Sequence, residues 1–159
     1  MLGGARSGKS LFAERLAGEC GGPVLYVATA EALDDEMAER IRLHRARRDP
    51  AWRTLEAPVD VAAAVESNLG DARTLLVEDL TLLLSNRLDE QAAATEVEGL
   101  LRLPCHVLLV SNEVGMGLVP EYPLGRQFRD ALGRLNQHAA AQAGEVYFVI
   151  AGLPLRLKP

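Results

Sequence analysis

Cysteine is scarce in this chain of 159 residues: Cys20 and Cys105 are the only two, and they form no C-x-x-C pair. That excludes a disulfide-built scaffold and a cysteine zinc centre, and it fits a reducing compartment. A basic excess is also lacking. With 17 Lys and Arg against 22 Asp and Glu, the net charge is -5. This argues against general binding to nucleic acid or acidic membranes, yet leaves room for a local basic site for a phosphorylated ligand. No apolar run is long enough to cross a bilayer and the N-terminus has no apolar signal region, so the expectation is a cytoplasmic protein. Repeats, low-complexity segments and convincing linkers are missing as well. Residues 1–159, 48% apolar and 25% charged, are expected to form one domain.

What is present is a series of apolar, β-branched-rich runs: VLYVAT (24–29), TLLVED (74–79), HVLLVSNE (106–113) and EVYFVIAG (145–152). Continuous apolar runs without alternation suit strands buried on both faces, as in a parallel sheet. Helical patterns lie between them, over residues 9–18, 33–48 and 59–69, with one or two more within 81–102. The second carries Asp34, Asp35 and Glu36 at its start and Arg45, Arg47 and Arg48 at its end, each sign matching the helix dipole. The last helix follows Pro123, has Leu124, Phe128, Ala131, Leu132 and Leu135 on one face, and closes at Gly144. Strands alternating with helices predict a three-layer α/β fold with a mostly parallel sheet.

Gly3-Gly4-Ala5-Arg6-Ser7-Gly8-Lys9-Ser10 satisfies G-x-x-x-x-G-K-[ST]. By residue frequencies a chain of this length matches by chance roughly once in two hundred. Glycines let the backbone curl around phosphates so that several N–H groups point inward, aided by the helix they open. Lys9 is then expected on the β/γ-phosphates and Ser10 on Mg²⁺. Such a loop needs a supporting carboxylate at a neighbouring strand end, where ligands collect in open α/β sheets. Glu78 and Asp79 are the candidates, with Glu113 nearby in the same layer.

Of three histidines, His106 begins an apolar run and His138 lies late on a long helix; both read as structural or exposed. His44 continues the face marked by Leu33, Met37 and Ile41 and stands beside Arg45, Arg47 and Arg48. Spacing alone favours a core-edge residue. The functional alternative is specific: a neutral imidazole beside a triphosphate can attack phosphorus to form a phosphoramidate, with arginines stabilising the transferred group.

GGARSGKS, VLYVATAEALDDEMAERIRLHRARR, WRTLEAP, SNEVGMGLVP, FRDALGRLNQ and VIAGLPLRLK resemble, in that order, the bifunctional adenosylcobinamide kinase/adenosylcobinamide-phosphate guanylyltransferases of cobalamin biosynthesis. The match spans nearly the whole chain, and its SNEVGMG and FRD-x-x-GR-x-NQ stretches are far more specific than the glycine loop. The resemblance implies a RecA-like P-loop NTPase fold and a homotrimer. It implies transfer of a nucleoside triphosphate's γ-phosphate to the aminopropanol hydroxyl of adenosylcobinamide. GMP transfer from GTP then follows through a guanylyl-histidine, giving adenosylcobinamide-GDP. His44 matches that histidine, which reverses the preference drawn from spacing. Lys9 and Ser10 match the phosphate and Mg²⁺ contacts, and Glu78 the strand-end acid that shares the metal. Thr29, Ala30, Glu31, Arg45, Arg47 and Glu56 match segments associated with GTP. The resemblance implies no nucleic-acid partner and no stable membrane insertion.

The chain departs from the family pattern in four places. Only Met1 and Leu2 precede the glycine loop where relatives carry a fuller strand of the type I-L-V-T-G-G, so the first strand is expected to be truncated. Leu43 stands where relatives can have a second histidine, and Glu78-Asp79 replaces a more usual acid-cysteine pair. Residues 88–104 are short. Trp52 reads as packing or as part of a purine or corrinoid surface. Asn112 and Glu113 read as substrate contacts or organisers of the site. Arg126, Arg129 and Arg134 face a phosphate or a neighbouring subunit, or form ordinary ion pairs. Two rival readings remain: a P-loop small-molecule kinase without guanylyl transfer, and a truncated nucleotide-binding protein with impaired catalysis.

Overall fold

The run VLYVA is buried at all five positions and the first four residues of TLLVE are buried too, because both faces of these strands are covered. A computed structural model describes residues 1–32 and 34–158, and only the backbone of Arg40 and Arg47. In chain order the elements are β1 (Leu2–Gly3), α1 (Lys9–Glu19), β2 (Val24–Ala28), α2 (Asp35–Arg47), β3 (Arg53–Glu56), α3 (Val61–Asn68), β4 (Thr74–Glu78), α4 (Leu80–Arg87), α5 (Glu90–Leu101), β5 (His106–Asn112), α6 (Pro123–Gln142), β6 (Val146–Ile150) and β7 (Leu153–Lys158). The strands form one sheet in the order β3-β2-β4-β5-β1-β6-β7. All neighbouring pairs are parallel except β6 with β7. This is the expected mostly parallel α/β architecture.

Alternation along the strands splits the core in two. Leu25, Val27, Leu75 and Val77 point to one face and meet Val61, Val65, Leu84, Val97, Leu100, Leu132 and Leu135 from the helices α3 to α6. Val24, Tyr26, Leu76 and Val110 point to the other face and meet Ala13 and Ala17 of α1. Each fully buried Leu or Val on these faces stabilises the fold by about 1.5–3 kcal/mol. The small alanines let α1 lie close to the sheet, which holds the loop before it near the strand ends.

Local chemistry sets several helix starts. Asp34 caps α2 by accepting from Met37 N–H (2.7 Å), Asp79 caps α4 by accepting from Leu82 N–H (2.9 Å), and Asp89 caps α5 by accepting from Ala92 N–H (3.0 Å). Each such cap contributes about 1 kcal/mol. The helix α2 rides on the surface: among its described side chains none is buried, and Met37, Ile41 and His44 are half-buried. Its expected apolar face therefore exists but is shallow. Leu33, expected to begin that face, lies outside the described residues.

Two strands escaped the sequence reading. β3, Arg53–Glu56, is largely exposed at the sheet edge, so it carries no apolar run. β7 alternates Leu153, Leu155 and Leu157 and pairs with β6 across a two-residue hairpin at Ala151 and Gly152, with φ of 51° and 80°. Two consecutive positive φ values are the hairpin geometry whose twist suits antiparallel strands. The short leading strand is as expected: β1 has two residues and lies between β5 and β6.

Candidate nucleotide-binding and catalytic site

The glycine loop curls between β1 and α1. Ser7 N–H donates to Gly4 C=O (3.2 Å), and Gly152 N–H donates to Ser7 C=O (2.8 Å), tying the loop to the β6–β7 hairpin. A Cβ on Gly3 would lie 2.5 Å from Ser7 Oγ and 2.7 Å from Val149 C=O, so only glycine fits. Gly8 has φ +95° and closely approaches the Gly152 backbone, whereas Gly4 faces open space. Arg6 is exposed, beside Ala5, and takes φ 57° without being glycine. No side chain caps the start of α1, and Ser7 Oγ is buried without a hydrogen-bond partner. Uncapped N–H groups and an orphaned hydroxyl at a helix start suit an anion.

Strand register brings the acids to this loop. Ala28 is opposite both Glu56 and Glu78, and Glu78 is opposite Val110, so β3, β2 and β4 end in one row and β5 runs two residues beyond it. Ser10 Oγ donates to Glu78 Oε1. Glu78 Oε2 is buried with no partner. Burial pushes the Glu78 carboxyl up to about 7, the neighbouring Asp79 carboxylate adds to the rise, and the Ser10 hydrogen bond opposes it. Lys9 is buried at the first turn of α1. A hydroxyl and a buried carboxylate with a free oxygen form a hard donor pair that fits Mg²⁺, which takes few protein ligands beside phosphate oxygens. Among the described residues no group of three or more His, Cys, Asp or Glu side chains could hold a metal on its own.

Asp79 does structural work behind this pair. Burial raises its carboxyl pKa, Oδ1 caps α4, and Oδ2 accepts from Asn112 Nδ2 at 3.1 Å. Asn112 Nδ2 also donates to Thr81 Oγ1 (3.0 Å), and its backbone C=O accepts from Asn136 Nδ2 (3.1 Å). Thr29 is fully buried; its Oγ1 donates to Asp79 C=O and accepts from Asp79 N–H, both at 2.8 Å. Asn112 is thus an organiser. Thr81, Asn86 and Asn136 were missed by sequence reasoning. Asn86 Nδ2 donates to the carbonyls of Thr29 (2.9 Å) and Pro58 (2.7 Å), pinning the segment after β2. A polar residue amid the apolar run TLLLSN was the available signal.

The end of the helix bearing His44 is fastened on the α1 side of the sheet. Arg48, just past α2, lies over the buried Tyr26 ring, 3.5 Å from its centroid. Arg45 forms an ion pair with Glu56 at the end of β3, with both side chains more than half exposed. His44 is one helical turn before Arg48 and so shares its face. The backbone of Arg47 belongs to α2, while its side chain lies outside the described residues. Ala30 is half-buried and Glu31 exposed in the connection that leads to α2. Trp52 packs against the cluster that includes Tyr26 and Ala13, in keeping with the packing alternative.

The remaining candidates take ordinary roles. Glu113 accepts from Gly115 N–H (3.0 Å) within its glycine turn. Arg126 donates to the carbonyls of Pro120 and Glu121, Arg129 pairs with Asp130, and Arg134 binds Glu90 through two bonds of 2.7 Å. His138 lies 3.2 Å from a Glu98 oxygen, and His106 is exposed at the start of β5.

A parallel sheet with a glycine loop, a buried lysine and a serine–carboxylate pair at its strand ends defines a P-loop nucleotide-binding protein. Residues 1–157 match the CobU family, described as cobinamide kinase / cobinamide phosphate guanyltransferase. The chain is 50% identical over 165 residues to the bifunctional adenosylcobalamin biosynthesis protein CobP of Pseudomonas aeruginosa, covering 99% of this chain and 95% of that one. It is 42% identical over 178 residues to CobU of Escherichia coli K12 and 41% identical over 178 residues to CobU of Salmonella typhimurium, each covering 99% of this chain and 98% of the relative. The chain belongs to the CobU family of kinases and nucleotidyltransferases.

Proposed function

We propose that this chain phosphorylates the aminopropanol hydroxyl of adenosylcobinamide with ATP or GTP. It then transfers GMP from GTP to that phosphate through His44. The observation that carries the reading is the joint assembly of Lys9, Ser10 and Glu78 at the loop, with the end of α2 tethered to the neighbouring strand β2 through Arg48 and Tyr26.

In the kinase step the substrate hydroxyl oxygen forms a bond to the γ-phosphorus as the bond to the β-phosphate oxygen breaks, and the hydroxyl proton leaves to solvent. Lys9 and the loop N–H groups stabilise charge spreading over the phosphate oxygens. Gly3, Gly4, Ala5, Arg6, Ser7 and Gly8 shape the backbone around the nucleotide. Ser10 and Glu78 hold Mg²⁺, which when bound neutralises phosphate charge. In the second step an imidazole nitrogen of His44 bonds to the α-phosphorus of GTP and pyrophosphate leaves. A phosphate oxygen of adenosylcobinamide phosphate then displaces His44, giving adenosylcobinamide-GDP. Arg45, Arg47, Thr29, Ala30, Glu31 and Glu56 belong to the GTP side of the site, with Thr29 acting by positioning that segment, since its hydroxyl, N–H and C=O are all bonded within the protein.

Incubation with GTP labelled at the α-phosphate tests this. Acid-labile, base-stable label on the protein, lost in His44→Ala, supports the transferase. Adenosylcobinamide phosphorylation without any label leaves a P-loop kinase alone, and neither result leaves a nucleotide-binding protein without these activities.

No helix among the described residues is long and apolar enough to cross a membrane, and we assign the enzyme to the cytoplasm. A homotrimer is also part of this reading. Its support is apolar surface left uncovered by one chain: Leu153, Leu155 and Leu157 on β7, with Met116, Leu118 and Val119 in the loop before α6. Light scattering after gel filtration measures it; a monomer overturns the trimer alone.

A further inference from the structure

The kinase step needs the acceptor hydroxyl held in line with the γ-phosphate and relieved of its proton. Neither the cationic Lys9 nor the metal-holding pair Ser10 and Glu78 can take that proton. A further carboxylate suits the task. The ends of β3, β4 and β5 carry four, and three of them are committed. Glu56 pairs with Arg45. Glu78 accepts from Ser10 and keeps its other oxygen buried. Asp79 is buried, caps α4 with Oδ1 and accepts from Asn112 with Oδ2.

Glu113 is the fourth. It follows β5, and sheet order places β5 between β4, which ends in Glu78, and β1, which opens into the glycine loop. Gly3 is opposite Asn112, and Glu113 N–H donates to Gly3 C=O (3.0 Å). Its backbone is therefore fastened to the first glycine of the phosphate cradle. The side chain is held as well. Oε1 accepts from Gly115 N–H (3.0 Å), and a Cβ on Gly115 would stand 3.0 Å from that oxygen. The turn thus closes on the carboxylate because glycine leaves the space. Glu113 is half-buried, and among the described residues Oε2 has no hydrogen-bond or ion-pair partner. Beyond its place in the turn, the side chain keeps one oxygen for a ligand.

We propose that Glu113 is the general base of the kinase step, an assignment that rests on the kinase reading above. Oε2 accepts a hydrogen bond from the aminopropanol hydroxyl and so fixes its oxygen for attack. That oxygen bonds to the γ-phosphorus as the bond to the β-phosphate oxygen breaks. The hydroxyl proton passes to Glu113 and from there to water. A loose phosphoryl-transfer transition state asks mainly for orientation of the nucleophile, and a carboxylate anchored through one oxygen and open at the other supplies it. The transferase step has no need of this residue. It uses an imidazole nitrogen and then a phosphate oxygen, and no hydroxyl reacts. Its elements also lie elsewhere: β3 and the anchored end of α2 are on the β2 side of Glu78, and Glu113 is on the β5 side.

Two variants test it. Glu113→Gln keeps the shape and an acceptor for Gly115 N–H but cannot take a proton, and Glu113→Ala leaves room for added formate. With ATP and adenosylcobinamide, Glu113→Gln should lower kcat for phosphorylation by roughly 10²-fold or more. KM for ATP, the melting temperature and the rate of His44 labelling by GTP should change little. Glu113→Ala should lose at least as much kinase activity and regain part of it with formate, which a structural role would not allow. Near-wild-type turnover by Glu113→Gln overturns the proposal. So does a fall in phosphorylation matched by an equal fall in His44 labelling, which would make Glu113 an organiser of the loop, and so does a loss in Glu113→Ala that formate leaves unchanged. A wild-type chain that labels His44 but does not phosphorylate adenosylcobinamide overturns the kinase reading, and this assignment with it.

Discussion

The guanidinium carbon of Arg48 stands 3.5 Å from the centroid of the Tyr26 ring, so the end of an otherwise exposed helix is fastened to the buried centre of β2. The pair Arg45–Glu56 is more exposed and is worth at most about 1 kcal/mol. A cation over a desolvated aromatic face contributes about 0.5–2 kcal/mol. Arg48→Ala should therefore slow guanylylation of His44 by roughly two- to thirtyfold while GTP affinity changes little. Single-turnover labelling alongside equilibrium GTP binding separates the two. An equal fall in affinity would mean that Arg48 holds nucleotide rather than the helix.

Glu78 makes stability and ligand binding depend on pH. Its folded pKa is about 7 against an ordinary 4.5, so between those values the folded protein binds more protons than the unfolded chain. Its contribution is full below pH 4.5 and is lost as pH rises through 7. By pH 8 the cost approaches about 3 kcal/mol as an upper limit. Glu78→Gln should flatten this slope in the nucleotide-free protein, read by denaturant melts at pH 5 and 8, and should impair Mg²⁺-dependent turnover. Binding of Mg²⁺-nucleotide near pH 7, where the Glu78 carboxyl is about half protonated, should release about half a proton more in the wild type than in Glu78→Gln, as calorimetry in two buffers can measure.

The first two glycines of the loop should respond differently to alanine. Gly3→Ala forces a Cβ onto Ser7 Oγ and Val149 C=O and should cost about 1–3 kcal/mol of stability even without ligand. Gly4→Ala meets nothing within 4 Å, so melting should not change while nucleotide affinity falls where the new methyl faces phosphate. Thermal melts with and without nucleotide check both; a destabilised Gly4→Ala protein would contradict the assignment of its open side to ligand.

Asn112 should matter through Asp79. Asn112→Ala removes a donor 3.1 Å from the buried Oδ2 and should destabilise by about 1–3 kcal/mol. Asn112→Asp should be worse, since it sets one carboxylate against another. Denaturant titrations measure the order; a neutral Asn112→Asp would show that the network is solvated.

Lys9→Ala should lower the kinase rate by roughly 10²–10³-fold, the scale of removing one preorganised donor from developing charge. Steady-state turnover with adenosylcobinamide, at saturating nucleotide, is the measurement.

Much of the site was legible because its chemistry is local. The glycine loop, Lys9 and Ser10 are adjacent in the chain, and the close approaches at Gly3 and Gly8 lie within or beside that turn. For His44 the helical face gave only a core-edge residue, which its half-burial beside Met37 and Ile41 matches; its candidacy for the site came from the family pattern. The strand β3 was not legible, since RTLE sits exposed on an edge and buries too little to leave a pattern. β7 had a readable alternation that went unused. Asn112 stayed ambiguous because its partners Asp79 and Thr81 lie on other elements, more than thirty residues away in sequence.

From the order of residues alone came the alternation of buried strands with helices, the anion-binding turn and the family pattern, because hydrophobic periodicity and backbone freedom act over a few neighbouring residues. Tertiary structure alone decided that Ser10 meets Glu78 across 68 residues of chain and that Arg48 rests on Tyr26. Those meetings depend on strand order and register, and it is the packing of the whole sheet that sets both.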